Sequence, residues 1–387
     1  MKKYFLLICT LFFTQYTGAQ SANSVLASGD WYKFSVDTTG VFKIDKNLLQ
    51  RIGITTNGLN PKHLQIFGNG GHLLPVLNSD FRIKDLKENA LFIEGEADGS
   101  FDANDFILFY AKGPHDWVVN AETKTVKHRQ NIYTDKAYYF ITVGNANGKR
   151  IVEKATNTGP VSAQISSFDD FIFYERDELN IIAAGTQWFF NDDFNIENTQ
   201  RVTIPFPNAL ENSTILVKVR GVSTSVASSV MQVKVNGQDF PALNFSPAST
   251  TEKARTSEKT AELTNSSEAV KIDLNYNNNG NPSAKAYLDY IEIIGKKTLR
   301  ATTKQFSFRS FDQFDATGTV AYQIKNAAAI FQVWDVSTFS TPTLIKNEAT
   351  GADFLFKDSG ASLKEYMVIN ESDFYIPETI ENAKVVN

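Results

Sequence analysis

At 387 residues the chain is longer than one ordinary hydrophobic core accommodates, and about two or three domains are expected. A hydrophobic fraction of 42% with 21% charged residues excludes a disordered polypeptide. The formal charge of -5, with no basic block beyond Lys296-Lys297, excludes the footprint of a nucleic-acid binder. The 30 Phe and 14 Tyr favour strands over helices.

In chain order, the first predicted element is a secretory signal peptide over residues 1–19. Lys2 and Lys3 supply the positive start, residues 4–13 are a short apolar run, and Thr17 and Ala19 place small side chains at the two specificity positions of a cleavage site. Cleavage after Ala19 leaves Gln20 first. The run is too short to span a bilayer, and no later run reaches the roughly 20 apolar residues that a spanning helix needs. The expectation is an exported chain, in the periplasm or at the outer-membrane surface, with no transmembrane segment after signal cleavage. Cys9 is the sequence's single cysteine and lies inside this run. The exported chain therefore has no thiol for a disulfide, a thiolate metal site or a cysteine nucleophile.

Residues 24–160 read as a small β-rich domain. Trp31-Tyr32-Lys33-Phe34-Ser35-Val36 alternates as a half-buried strand does. Residues 45–54 read as a short helix with Asp45 at the N-cap, Leu48, Leu49 and Ile52 on one face, and Gly53 at the stop. Further strands are expected near residues 64–67, 73–77, 90–93, 106–110 and 138–143. Turn-rich stretches at 145–148 and 156–160 mark a boundary.

Residues 161–299 read as a jelly-roll-like β-sandwich. Short strands recur near 202–206, 215–220, 230–235, 270–274 and 287–293. Asn236-Gly237 is a strong hairpin signal, and the polar stretch 246–267 reads as a long exposed loop. Residues 300–376 carry the alternating Gln305-Phe306-Ser307-Phe308-Arg309-Ser310-Phe311 and four more short strands, enough for an immunoglobulin-like β-sandwich. Residues 377–387 read as a linker leaving this domain toward one further downstream. The fold class is thus mainly β and multi-domain.

One loop has the spacing of a cation site. Between residues 94 and 105, Glu94, Glu96, Asp98, Asp102 and Asp105 fall at loop positions 1, 3, 5, 9 and 12, with Gly99 at position 6. Calcium takes six to eight oxygens, and such spacing can wrap them around one point. The alternative is a solvated hairpin in which Asp and Gly serve turn roles. No other cofactor is expected. The histidines, His63, His72, His115 and His128, share no spacing that puts two on one face, and they read as structural or surface groups. No nucleophile elbow and no complete dinucleotide fingerprint occurs, and no pair of carboxylates stands out for glycoside hydrolysis. Trp188-Phe189-Phe190 and Tyr287 with Tyr290 fit either flat platforms for a sugar or a sandwich interior.

Several segments together carry a family likeness. They are Ser24-Val25-Leu26-Ala27-Ser28-Gly29-Asp30-Trp31-Tyr32-Lys33-Phe34, Thr39-Gly40-Val41-Phe42-Lys43-Ile44, Gln65-Ile66-Phe67-Gly68, the acidic loop, Ile107-Leu108-Phe109-Tyr110, Gly113-Pro114-His115-Asp116-Trp117, Tyr138-Tyr139-Phe140, Tyr287-Leu288-Asp289-Tyr290-Ile291-Glu292 and Phe331-Gln332-Val333-Trp334-Asp335-Val336. In combination they resemble the front part of type IX secretion system sortases, gingipain-like cysteine peptidases of Bacteroidota. The resemblance implies a location at the cell surface and partners among outer-membrane secretion components and secreted cargo proteins. It also implies a catalytic Cys and His in a peptidase domain downstream of the matched region. No catalytic residue carries over to this chain. The expected role is a non-catalytic region that positions that domain and docks partners or cargo, with a secreted carbohydrate-binding or adhesin module as the alternative.

Overall fold

The computed structural model describes residues 24–265 and 267–386, so the expected signal peptide and its cleavage site lie outside the described residues. Nearly all regular structure is β, in three packed units, and no described helix is long and apolar enough to cross a membrane.

The first unit has two sheets. One runs in the order Glu378–Lys384, Tyr32–Val36, Ala137–Val143, Leu64–Phe67, Glu88–Asn89, and the other in the order Gly40–Asp45, Phe106–Ala111, Leu91–Glu94. Phe34, Phe109 and Tyr139 meet between them, with Phe34 edge-on to Phe109 at 5.6 Å. The predicted helix forms at Lys46–Arg51. The Asp45 side chain accepts the Leu48 N–H at 2.8 Å, satisfying a donor that a helix start leaves open. Leu48 and Leu49 turn into the core.

The third unit contains a strand expected in the second. Val161–Ile165 pairs parallel with Thr319–Ile324, and Val152–Glu153 pairs parallel with Thr343–Ile345. Its two sheets run Val152–Glu153, Thr343–Ile345, Ile330–Asp335, Tyr366–Asn370, Phe306–Phe308 and Val161–Ile165, Thr319–Ile324, Phe354–Ser359. Tyr322 and Phe356 stack across the second sheet at 4.7 Å within the core.

Between the two visits lies the jelly-roll sandwich, two antiparallel four-stranded sheets. One runs Ser167–Glu175, Ala286–Thr298, Ser213–Ser223, Arg255–Asn265, and the other Thr199–Pro205, Ala269–Asn277, Ser229–Val235, Gln238–Phe245. The predicted hairpin closes with Asn236 at φ 49° and Gly237 at φ 79°, the left-handed pair that a two-residue turn requires. Residues 246–267 are not one long loop. Arg255–Asn265 is an eleven-residue edge strand paired along its length with Ser213–Ser223. Its inward face carries Ser257 and Lys259 beside only Ala261 and Leu263, so little hydrophobic alternation announces it, and that polarity suits an unprotected edge.

The expected linker at 377–387 also differs. Glu378–Lys384 returns to the first unit and pairs antiparallel with Tyr32–Val36, and Ala383 enters the core there. Only one small apolar side chain is buried, so the segment reads as polar tail. The units are therefore nested: the jelly roll interrupts the third unit, and the third unit interrupts the first. Each border is crossed twice by the chain.

The seam between first and third units is apolar. Phe106–Ala111 buries Ile107, Phe109 and Ala111 in the first core and turns Leu108 and Tyr110 outward onto Trp334, Met367 and Ile369. Gln305 seals it: its Oε1 accepts the Val41 N–H at 2.8 Å, and its Nε2 donates to the carbonyls of Val41 at 3.1 Å and Asp373 at 2.7 Å.

Candidate functional site

The outer face of the jelly-roll sheet holds a concentration of charge. Along Ser167–Glu175, Ile172 and Tyr174 pack toward the sandwich core, so Phe171, Phe173 and Glu175 face outward. Along Ser213–Ser223, Val217 and Val219 are core, so Lys218 and Arg220 face outward. Between them, Ala286–Thr298 carries a β-bulge. Its register passes from Arg220 opposite Tyr290 to Gly221 opposite Leu288. Leu288 and Ile291 both enter the core, so the bulge turns Asp289 and Tyr290 together to the outer face.

A hairpin from the first unit, Asp116–Asn120 with Thr125–Arg129, lies over this face. Its Trp117, Val119 and Val126 pack with Phe171, Ile294 and Phe311. The His128 ring stacks on Phe173 and its Nδ1 bonds the Glu292 carboxylate, which also holds Lys218 at 2.6 Å. Burial works against the Glu292 charge, but the His128 and Lys218 hydrogen bonds hold its carboxyl below the usual range. Tyr290 donates to Glu258 at 2.6 Å. On its other side the hairpin borders a cleft of about 500 Å³ shared with Tyr110, Arg309 and Lys364.

Beside the hairpin opens a cavity of about 180 Å³, lined by Glu175, Asp177, Asp289, Arg220, Tyr290 and Trp188. Asp289, only 4% exposed, pairs with Arg220 at 3.1 Å. Its carboxyl is pushed up to about 7, chiefly by burial, with Arg220 opposing and Asp177 adding. Glu175 is pushed up to about 8 by burial and by the neighbouring Asp177 and Asp289. Its Oε2 is enclosed and has no hydrogen-bond partner among the described residues. A carboxylic acid held neutral near physiological pH can donate a proton or await a cation.

The residues singled out from the acidic loop do not converge. Glu94 ends the strand Leu91–Glu94 and is exposed, and Glu96 is held by Arg150 at 2.8 Å. Asp98 accepts the Ser100 N–H at 2.9 Å, Asp102 accepts the Ser100 hydroxyl at 3.2 Å, and Asp105 accepts the Asp102 N–H at 2.7 Å. Among the described residues no three His, Cys, Asp or Glu side chains gather to hold a metal ion. Four of the five carboxylates serve an arginine or the loop itself. Gly95 and Gly99 both lie at positive φ, as turn glycines do.

The aromatic candidates divide. Phe189, Phe190 and Tyr287 are buried, whereas Trp188 is 38% exposed at the rim of the acidic cavity. Glu175, Arg220 and the His128–Glu292 pair escaped the sequence reading, since lone acids and histidines are common. One signal was present. Leu288 and Ile291 are three apart, while Ile291 and Ile293 are two apart, and that break in alternation marks the bulge.

No protein-family model matches the chain, and no curated protein matches it by sequence. Among solved structures, the fold is similar to the crystal structure of dimeric latent PorU from Porphyromonas gingivalis, with a TM-score of 0.78 at 20% identity over 95% of this chain. The match spans 34% of that chain, so this polypeptide has about a third of its length. Two smaller likenesses cover 32% of the chain. One is to the carbohydrate-binding module CBM36 in complex with calcium and xylotriose, at TM-score 0.22 and 17% identity over 98% of the module. The other is to the C-terminal CBM6 of LamC from Zobellia galactanivorans, at TM-score 0.20 and 13% identity, also over 98% of that module. Scores this low carry no argument. The likeness to PorU is one of fold.

Proposed function

We propose that this chain is the non-catalytic N-terminal region of a type IX secretion sortase, holding a downstream peptidase domain in place and docking secretion partners or cargo at the cell surface. The observation that carries this reading is the nested architecture, shared in fold with about a third of the PorU chain. A single linker permits hinging, whereas two crossings at each border, with the Gln305 seam between, fix one unit against the next. That is what a positioning scaffold requires. The sequence adds that its one cysteine is Cys9, within the expected signal peptide, so this region supplies no thiol nucleophile of its own once that peptide is removed. Partner docking falls to its surfaces, of which the hairpin-covered sheet face is the most chemically distinctive.

The test is the reading frame past Asn387. A continuing frame that encodes a domain with a paired Cys and His, whose cargo-processing activity falls when the present region is deleted, supports the proposal. An immediate stop codon contradicts it.

A further inference from the structure

Two cavities of different character share a wall. The acidic cavity described above meets a second, of about 380 Å³, at Thr186 and Gln187, which line both. The second is walled by Ile181, Ile182, Phe189 and Ala254. Ile182 is 58% exposed at its edge, an apolar side chain left toward solvent.

The acidic cavity is short of positive charge. Glu175, Asp177 and Asp289 face it, against Arg220 and His128. Arg220 is already paired with Asp289, and His128 is bonded to Glu292. Asp177 accepts the Gln130 amide at 2.6 Å. The Glu175 Oε2 has no hydrogen-bond partner among the described residues. An enclosed carboxyl oxygen without a partner is costly, and a cation brought beside Glu175 lets this acid, held neutral by its surroundings, ionise and pair. Trp188 stands at the same rim with its ring partly exposed, and an indole face attracts cations. A neutral polyol supplies no cation that would let Glu175 ionise.

We propose that the paired cavities bind an extended segment of a partner polypeptide in which a cationic side chain, arginine or lysine, adjoins a bulky apolar one. The cation enters between Trp188 and Glu175, and the apolar side chain fills the cavity lined by Ile181, Ile182 and Phe189. Charge complementarity sets the choice of partner, and the wall of Thr186 and Gln187 that the two cavities share makes the two side chains neighbours on the bound segment. This site stands independently of whether a peptidase domain follows.

The experiment is calorimetric titration of the full chain with N-acetylated, C-amidated dipeptides of leucine with arginine or lysine, in both orders. Each is compared with its uncharged counterpart carrying citrulline or Nε-acetyl-lysine, and cellobiose serves as a saccharide control. At least one cationic dipeptide is expected to bind about tenfold or more tighter than its uncharged counterpart. That gap is expected to close in Glu175→Gln, and Trp188→Ala, with its folding checked by circular dichroism, is expected to weaken the cationic dipeptide severalfold. Equal or absent binding of charged and uncharged dipeptides overturns the proposal. So does a gap that survives Glu175→Gln, or a response to cellobiose alone.

Discussion

The His128 imidazole lies flat on the Phe173 ring, with 3.4 Å between centroids and 21° between planes. One side chain belongs to the first unit's hairpin and the other to the outer face of the jelly roll, so this stack joins two units that the chain connects only through the third. His128→Ala removes the stack and leaves the buried Glu292 with Lys218 alone. The expected loss is about 1.5–3 kcal/mol of stability, the worth of a hydrogen bond to a charged group. It is read as a lower denaturant midpoint, together with new proteolytic cleavage within residues 116–129. An unchanged midpoint and an intact hairpin would mean that the apolar contacts of Trp117 and Val126 hold it unaided.

Glu175 makes stability depend on pH in a calculable direction. Its folded-state carboxyl sits near 8, against an ordinary value of 4.5, because burial and the nearby acids disfavour the charge. The folded state thus holds its proton more tightly than the unfolded chain does, and the contribution falls as pH rises between about 4.5 and 8. Glu175→Gln removes that dependence. The variant is expected to melt higher than the parent at pH 8, with the difference shrinking toward pH 4.5. A constant difference across that window would show that Glu175 ionises normally.

How much of this was legible in the sequence follows from where apolar residues are required. Asp45 with Leu48 and Leu49 marks the helix because a cap and a buried face each leave a local pattern. Asn236-Gly237 marks its hairpin because few residues tolerate those dihedrals. Arg255–Asn265 and Glu378–Lys384 bury little, so nothing in their composition demands a strand; a neighbour's open edge does. The parallel pairing of Val161–Ile165 with Thr319–Ile324 depends on residues more than 150 positions apart, which no local period encodes. The acidic cavity was hidden for the same reason, since Glu175 and Asp289 become unusual only when the bulge and the covering hairpin bring them together.

The seam rests on Gln305. Gln305 is 5% exposed, and Gln305→Ala strips its partner from the Val41 N–H, while the Val41 carbonyl keeps the Tyr375 N–H at 3.1 Å. Each buried backbone group left unpaired costs about 1–3 kcal/mol. The variant is expected to unfold at lower denaturant and to lose coincidence between the transitions followed in the first and third units. A single transition at the parental midpoint would show that the Trp334 contacts alone maintain the seam.

The acidic loop is expected to be indifferent to calcium but sensitive to Gly95. A Cβ on Gly95, at φ 87°, would lie 1.9 Å from the Asp105 Oδ1. Gly95→Ala is therefore expected to lower the melting temperature by an amount that no added calcium restores. A strong chelator is expected to leave the parent unchanged. A chelator-induced drop, reversed by calcium, would show that the loop rearranges into a binding site.

The scaffold account is tested most directly by assaying the purified chain for peptide-bond hydrolysis across a set of protein and peptide substrates, with and without a thiol-alkylating agent. The predicted result is no turnover above buffer in either condition. Hydrolysis that co-purifies with the chain through successive separations, and that falls on substitution of one of its own residues, would contradict it.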